Sequence, residues 1–351
     1  MTLATTLDTP LLADPDQVAA DPARYRVLTG DRPTGPLHLG HYFGTLLNRV
    51  RLQRQGVETF LVVADYQVIA DRLSPGEIAA NVREIVLDNL AAGIDPERTT
   101  VFAHSAVPAL NQLMLPFLSL TTVAELQRNP TVKDEAAASG LAAISGLLLT
   151  YPVHQAADIL FCHGNLVPVG DDQLPHVEQT RLVARRFNER YAGGRAVFRE
   201  PQALLSPSPR LLGIDGRKMS KSRGNTIALK ASADETARLI KRSVTDARRD
   251  ITYDPAGRPG VSSLVEIAAL CLGVAPADLA AQLGSGGSAA LKALVTEAVN
   301  EELRPVRTRR AEFAAEPELV SALLADGAAR ASALAADTLA EVQDVLGMTA
   351  Y

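Results

Sequence analysis

A chain of 351 residues that is 47% hydrophobic and 21% charged is long enough to bury a core and divide into two parts, which excludes a disordered tail or linker. Its formal net charge of -5 speaks against a general nucleic-acid binder, because such binding runs on phosphate neutralisation by Lys and Arg. The two cysteines, Cys162 and Cys271, stand far apart with no CxxC or Cys/His spacing near either, so neither a disulfide scaffold nor a structural zinc site is expected.

Residues 1–24 are rich in Thr, Asp, Ala and Pro without sustained periodicity and read as a loosely held extension. Asp8, Asp14, Asp16 and Asp21 occupy the place of a basic leader, and no apolar stretch long enough to span a bilayer runs free of charges and turn residues. A cytoplasmic protein with no membrane partner is expected. A short apolar strand spans residues 25–29, and Gly30, Pro33 and Gly35 punctuate the loop after it. An amphipathic helix follows over residues 38–55, with Leu39, Phe43, Leu46, Leu47 and Val50 at helical spacing. Residues 59–64 form a continuous apolar strand of the kind buried on both faces of a parallel sheet, with Asp65 at its carboxyl end.

A second pair repeats the pattern, with a helix over 75–92, a strand over 99–103 and a further helix from about Val107. Residues 136–161 are rich in Ala and Leu and read as helices; a strand over 166–169 then runs through Gly170 into a helix reaching Asn188. This alternation implies an α/β protein with a doubly wound parallel sheet. Between Ala192 and Gly216 the chain loosens into Gly, Pro and Ser, which places a boundary there. Beyond Ala231 no strand is expected, and helical patterns cover 234–243, 263–272, 289–311 and 317–345, an all-helical second domain.

Two motifs carry chemistry. Thr34-Gly35-Pro36-Leu37-His38-Leu39-Gly40-His41 ends a strand-loop and starts a helix, where free N–H groups and a partial positive charge favour phosphate. His38 and His41, three apart, lie on one side of the first turn and can donate to a polyphosphate, while Gly40 removes a side chain that would keep a flat base from the backbone. The second motif is Gly216-Arg217-Lys218-Met219-Ser220-Lys221-Ser222-Arg223-Gly224-Asn225, a glycine-bounded loop. Ammonium groups on such a loop can meet the charge that builds on pyrophosphate as it leaves ATP.

In this order the two motifs resemble the HIGH and KMSKS signatures of class I aminoacyl-tRNA synthetases. A third run, Val167-Pro168-Val169-Gly170-Asp171-Asp172-Gln173 with His176, suits an adenosine ribose. Together with Thr150-Tyr151-Pro152, the stretch from Gln155 to Leu160, Thr180-Arg181, Val244-Thr245-Asp246 and Leu303-Arg304-Pro305, it is similar to the tryptophanyl branch. The HLGH form and Asp65-Tyr66-Gln67 fit a second, divergent branch.

The resemblance implies a Rossmann-like catalytic domain over 25–206, a KMSKS loop region over 207–230, a helical anticodon-binding domain over 231–320 and a C-terminal helix over 321–351 packed back on the catalytic domain. It implies activation of L-tryptophan by ATP with Mg²⁺ and transfer to tRNA(Trp) by a homodimer, without a tightly bound cofactor or structural metal. Catalytic roles carry over to His38, His41, Lys218, Lys221 and Ser222. ATP contacts carry over to Arg32, Pro33, Thr34, Gly40, Gly170, Asp171, Asp172, Leu211, Met219 and Ser220 as well. The tryptophan pocket takes Leu28, Gln67, Tyr151, Gln155, Asp158, Val167, Val169 and Gln173, with Asp158 accepting the indole N–H. Arg32, Leu28, Gln67 and Gln155 depart from the commoner bacterial pattern of Gln, an aromatic, His and Met, and make this pocket more polar.

Three arginine-rich clusters, around Arg181/Arg185/Arg186/Arg190, Lys241/Arg242/Arg248/Arg249 and Arg304/Arg307/Arg309/Arg310, read first as solvated helix faces and second as a local basic surface. A tyrosyl-type enzyme, a small-substrate nucleotidyltransferase and a silent tRNA-binding paralogue are the competing readings. The helical second domain speaks against the nucleotidyltransferase, and the intact histidines and lysines speak against the paralogue.

Overall fold

A computed structural model describes residues 9–70, 74, 76–139, 143–206 and 211–348. Residues 1–8, 71–73, Pro75 as a helix start, 140–142, the loop start 207–210, 349–351 and the side chains of Ala138, Ser139 and Ser222 lie outside the described residues.

Five parallel strands form one sheet: β1 (Arg26–Asp31), β2 (Glu58–Val63), β3 (Thr99–Ala103), β4 (Leu166–Val169) and β5 (Gln202–Leu205), in the order β3-β2-β1-β4-β5. Strand alternation explains why the sheet is covered on both sides. On β2, Phe60 and Val62 join one buried cluster with Leu28, Phe102 and Phe117, while Leu61 and Val63 join another with Leu39, Leu46 and Val86. Strand order reverses direction between β1 and β4, so a crevice opens beyond the carboxyl ends of those two neighbours. The loops leaving them are the HIGH-type segment and Gly170–Gln173.

Two expectations need correction. Residues 202–205 are a strand, not part of a loosened boundary. The polar surroundings hid a four-residue element that tertiary pairing with β4 stabilises. The extension is also not loose over residues 9–24. Leu12 bridges Ala203 in parallel, Ala203 N donates to Leu11 O at 2.7 Å, and Ala13 N donates to Ala203 O at 2.9 Å. This segment covers the edge of β5, and helix Pro15–Ala20 behind it buries Val18.

Beyond β5 the chain is helical: Ala233–Arg242, Pro259–Leu272, Pro276–Leu283, Gly287–Ala314 and Pro317–Val345. The short helix Pro276–Leu283 was not anticipated. Helix Pro317–Val345 is long and apolar enough, by length and composition, to cross a bilayer, but it carries Asp326, Gly327 and Arg330, so the expectation of no span free of charges and turn residues stands. Here it lies on β3, so close that a Cβ on Gly327 would meet Val101 O at 1.8 Å, and Thr338 Oγ1 donates to Phe161 O at 2.6 Å. Glycine is what lets the helix backbone touch the strand.

Candidate nucleotide and amino-acid site

The helix after β1 begins at Leu39–His41, passes through a π-helical segment Tyr42–Leu46 and continues as Leu47–Arg54. His38 caps it: His38 Nδ1 accepts the Gly40 N–H at 3.1 Å, and His41 Nδ1 accepts the His38 N–H at 3.3 Å. The two rings lie 3.8 Å apart. With both Nδ1 atoms accepting, each neutral ring carries its proton on Nε2, the nitrogen left for a ligand. Burial, aided by His41 and Lys221, pushes His38 down to about 2; burial likewise pushes His41 down to about 4 against the pull of Asp31. Both imidazoles are therefore neutral donors at neutral pH. A Cβ on Gly40 would stand 3.0 Å from His38 Cε1, so glycine makes room for the capping ring.

The tip is braced from behind. Arg49, almost fully buried, grips Asp31 with two guanidinium nitrogens, at 2.6 and 3.1 Å, and also bonds Thr29 Oγ1 and Gly30 O. Burial raises the Asp31 carboxyl, but Arg49 overrides it and holds it down to about 2. Asp88, fully buried, accepts the Leu37 N–H at 2.7 Å through one oxygen and Arg310 Nε at 2.7 Å through the other. Helix Gly287–Ala314 is thereby tied to the loop that carries His38.

The KMSKS-type loop closes on the same tip. Leu39 N donates to Ile227 O at 3.0 Å and Leu229 N to Leu37 O at 2.9 Å, an antiparallel join centred on His38 and Ala228. Lys221 Nζ donates to Gly35 O at 2.6 Å, and buried Met219 reaches Gly40, with Sδ 3.5 Å from where a Cβ would sit. Asn225 folds the loop by accepting the Ser220 N–H and donating to Lys218 O and Asp215. Lys218 Nζ stands 3.5 Å from Asp172 Oδ2 across the crevice. His38, His41, Lys218 and Lys221 thus border one cleft. Pro33 and Leu211 are buried beside it, the Thr34 N–H donates to Arg32 O, and Arg32 reaches Gln67 O at 3.0 Å and Glu135 at 3.3 Å. Asp171 and Asp172 are exposed, and a Cβ on Gly170 would press on Asp172 Oδ1 at 3.1 Å.

The amino-acid candidates sit at the other end of the crevice. Helix Gly146–Leu160 carries Tyr151, Gln155 and Asp158; Leu28 belongs to β1, Val167 and Val169 to β4, and Gln67 to the turn after β2. Leu28, Val167 and Val169 share one buried cluster with Ala156 and Ala157. Tyr151 OH meets His176 Nε2 at 2.9 Å, so His176 orients that hydroxyl. Asp158 is buried, and burial together with Asp65 pushes its carboxyl well above the usual range. Its neighbours were missed at the sequence level: His104 and His154 pack ring on ring at 4.0 Å, with His104 Nε2 3.3 Å from Asp158 Oδ1. The available signal was a polar residue inside an apolar run, as for Asp88 among Val86, Leu87 and Leu90.

Two of the three basic clusters hold braces, which corrects the solvated-face reading for them, whereas Lys241, Arg242, Arg248 and Arg249 are exposed, as that reading has it. Arg181 is buried against Glu200 and Pro201 O, Arg186 pairs with Glu125 at 2.6 Å, and Arg310 pairs with Asp88 and Glu84. Among the described residues no group of three or more His, Cys, Asp or Glu side chains is arranged to hold a metal ion.

Residues 21–304 match the family described as tRNA synthetases class I (W and Y). The chain is 41% identical over 332 residues to a tryptophan–tRNA ligase of Treponema pallidum, covering 93% of this chain and 97% of that one. It is 39% identical over 335 residues to the tryptophan–tRNA ligase of Clostridium longisporum, with 93% and 98% coverage. The crystal structure of tryptophanyl-tRNA synthetase from Campylobacter jejuni complexed with ADP and tryptophan superimposes with a TM-score of 0.77 at 30% identity, over 92% of this chain and 99% of that one.

Proposed function

Because the chain belongs to the class I tRNA synthetases of the tryptophan and tyrosine type, we infer that it activates L-tryptophan with ATP and charges tRNA with the product. The tryptophan carboxylate attacks the α-phosphorus of ATP, pyrophosphate leaves, and a ribose hydroxyl of the tRNA 3′ end then displaces AMP from the tryptophanyl-adenylate. ATP enters as its Mg²⁺ complex, the tRNA is tRNA(Trp), and the working unit is a homodimer in the cytoplasm.

Neutral His38 and His41 donate their Nε2–H groups to the polyphosphate, without the cost of burying a second cation beside Lys221. Lys221 and Lys218 meet the charge developing on the leaving pyrophosphate. The Lys218–Asp172 contact is exposed on both sides and worth little, so nucleotide displaces it readily, and Asp172 is then available to the ribose. Gly40 and Met219 face the adenine side, with Arg32, Pro33, Thr34, Gly170, Asp171, Leu211, Ser220 and Ser222 around the nucleotide. Asp158 accepts the indole N–H between Leu28, Val167 and Val169; Tyr151 and Gln173 hold the ammonium and carboxylate; Gln67 and Gln155 complete the pocket wall.

The observation that supports this reading most is Lys221 Nζ bonded to Gly35 O beside the paired imidazoles, which brings both signature motifs to one cleft at the sheet's switch point. Pyrophosphate exchange into ATP with each amino acid in turn tests it: exchange with tryptophan is expected, and exchange with tyrosine alone or with none overturns it.

A further inference from the structure

We propose that His104 is a positioning residue for indole recognition, engaging Oδ1 of Asp158 so that the other carboxyl oxygen faces the substrate N–H. The inference deepens the reading of Asp158 as the indole acceptor and rests on it. His104 follows β3 directly and is wholly buried, as are His154 and Asp158 to within 2%. Among the described residues, both ring nitrogens of His104, Nδ1 of His154 and Oδ1 of Asp158 are buried with no hydrogen-bond partner, although His104 Nε2 stands only 3.3 Å from Asp158 Oδ1. Buried polar groups are costly unless paired, so a cluster with this much unused capacity marks a place where a ligand completes the network.

The cluster is held in place from several elements. His154, one turn before Asp158 on the same helix, is fixed through Nε2 to Asn111 Oδ1 at 2.9 Å, which leaves its Nδ1 an acceptor. Its ring supports the His104 ring at 4.0 Å, and Tyr66 meets His104 edge-on at 5.4 Å. Asp65, at the end of β2, is tied off by the Ser105 N–H and hydroxyl and stands as the nearby negative charge. Whether the proton of the His104–Asp158 pair sits on Nε2 or on Oδ1, the same two atoms are engaged. Oδ2 is then the acceptor left over, and its direction is set by a ring that cannot rotate.

The test compares L-tryptophan with its analogue in which sulfur replaces the indole nitrogen, in pyrophosphate exchange by the full-length protein. His104→Asn places an amide where Nδ1 was, away from Asp158; His104→Gln places one where Nε2 was. His104→Asn is expected to raise KM for tryptophan and to cut the kcat/KM preference for tryptophan over the analogue about tenfold, with kcat and the KM for ATP nearly unchanged. His104→Gln is expected to restore most of that preference. The ratio of the two substrates on one preparation does not depend on the folded fraction, so partial unfolding leaves the readout intact. Preference retained in His104→Asn, or lost equally in His104→Gln, overturns the proposal. Asp158→Ala run alongside separates the two ideas: if it loses preference while His104→Asn keeps it, only the role of His104 falls, and if it keeps preference, the acceptor reading itself falls.

Discussion

At the phosphate end of the crevice, Asp31, Arg49, Asn89, Asp88 and Arg310 each find protein partners, and the two imidazoles are locked by backbone N–H groups before any nucleotide arrives. At the end proposed to hold indole, Asp158, His104, His154 and Gln67 are as deeply buried, yet each keeps a buried polar atom that no described residue satisfies. On the proposed function, the contrast follows from what each end must do. Stabilising charge in a transition state requires dipoles and cations that need no reorganisation, so that end is prepaid in structure. Discriminating one amino acid from another requires groups that are left unpaired when the wrong ligand enters, so that end holds its hydrogen bonds in reserve.

The largest effect expected is acid destabilisation, which draws on both ends at once. All six histidines have lowered pKa values through burial: His38, His41, His104, His154, His163 and His176. Between the unfolded value of 6.5 and the lowered folded values, about 4 or about 2 for five of the six, the unfolded chain binds protons that the folded chain refuses, so stability is full above pH 6.5 and falls as pH drops. Each proton contributes roughly 1.4 kcal/mol per pH unit. Asp158, Asp88 and Glu266, whose carboxyls burial raises, have the opposite sign but are fewer than the histidines. Urea midpoints measured from pH 7.5 to 4.5 should fall steadily, and a flat profile would mean that the imidazoles are solvated at one end or both.

Arg49→Met probes the prepaid end alone. It leaves Asp31 buried without its bidentate partner, which should cost about 3–5 kcal/mol in unfolding free energy. A loss under ~1 kcal/mol would show that water replaces the guanidinium, and the phosphate end would then be no more rigid than the indole end.

These braces were the least legible part of the chain. Four strands could be placed to within about two residues, because β2 and β3 are continuous apolar runs and β4 is closed by glycine. The HIGH and KMSKS spellings could be read because glycine, histidine and lysine hold their positions for local reasons, at a helix tip and in a turn. Arg310 and Asp88 are 222 residues apart, and nothing in the spacing of Arg304, Arg307, Arg309 and Arg310 distinguishes a buried strut from a solvated face. The same holds for β5, whose four residues are a strand only because β4 and the 9–14 segment lie on either side. His104 has no periodic signature, because it stands just after a strand.

Lys221→Ala should cost less than the loss of Arg49 in stability but more in rate. Removing one preorganised donor to developing charge lowers activation on the order of 10²–10³-fold, with tryptophan binding nearly unchanged. Single-turnover formation of the adenylate measures the rate, and equilibrium binding of tryptophan measures the other half. An equal loss in both would place Lys221 in ground-state binding, and the division of labour between the ends would disappear.

The smallest effect expected is that of Gln155→Met, and it bears on whether polarity as such matters at the indole end. Gln155 is half-buried on the helix that carries Asp158, between buried His154 and Ala156. Gln and Met are similar in length and volume, so the exchange should change unfolding free energy by less than about 1.5 kcal/mol. Because Gln155 does not touch the His104–Asp158 pair among the contacts described, preference for tryptophan over the sulfur analogue should stay within about twofold of the parent, well short of the tenfold loss expected for His104→Asn. A tenfold loss from Gln155→Met would mean that discrimination is spread over the whole polar wall and is not concentrated on one oriented carboxyl oxygen.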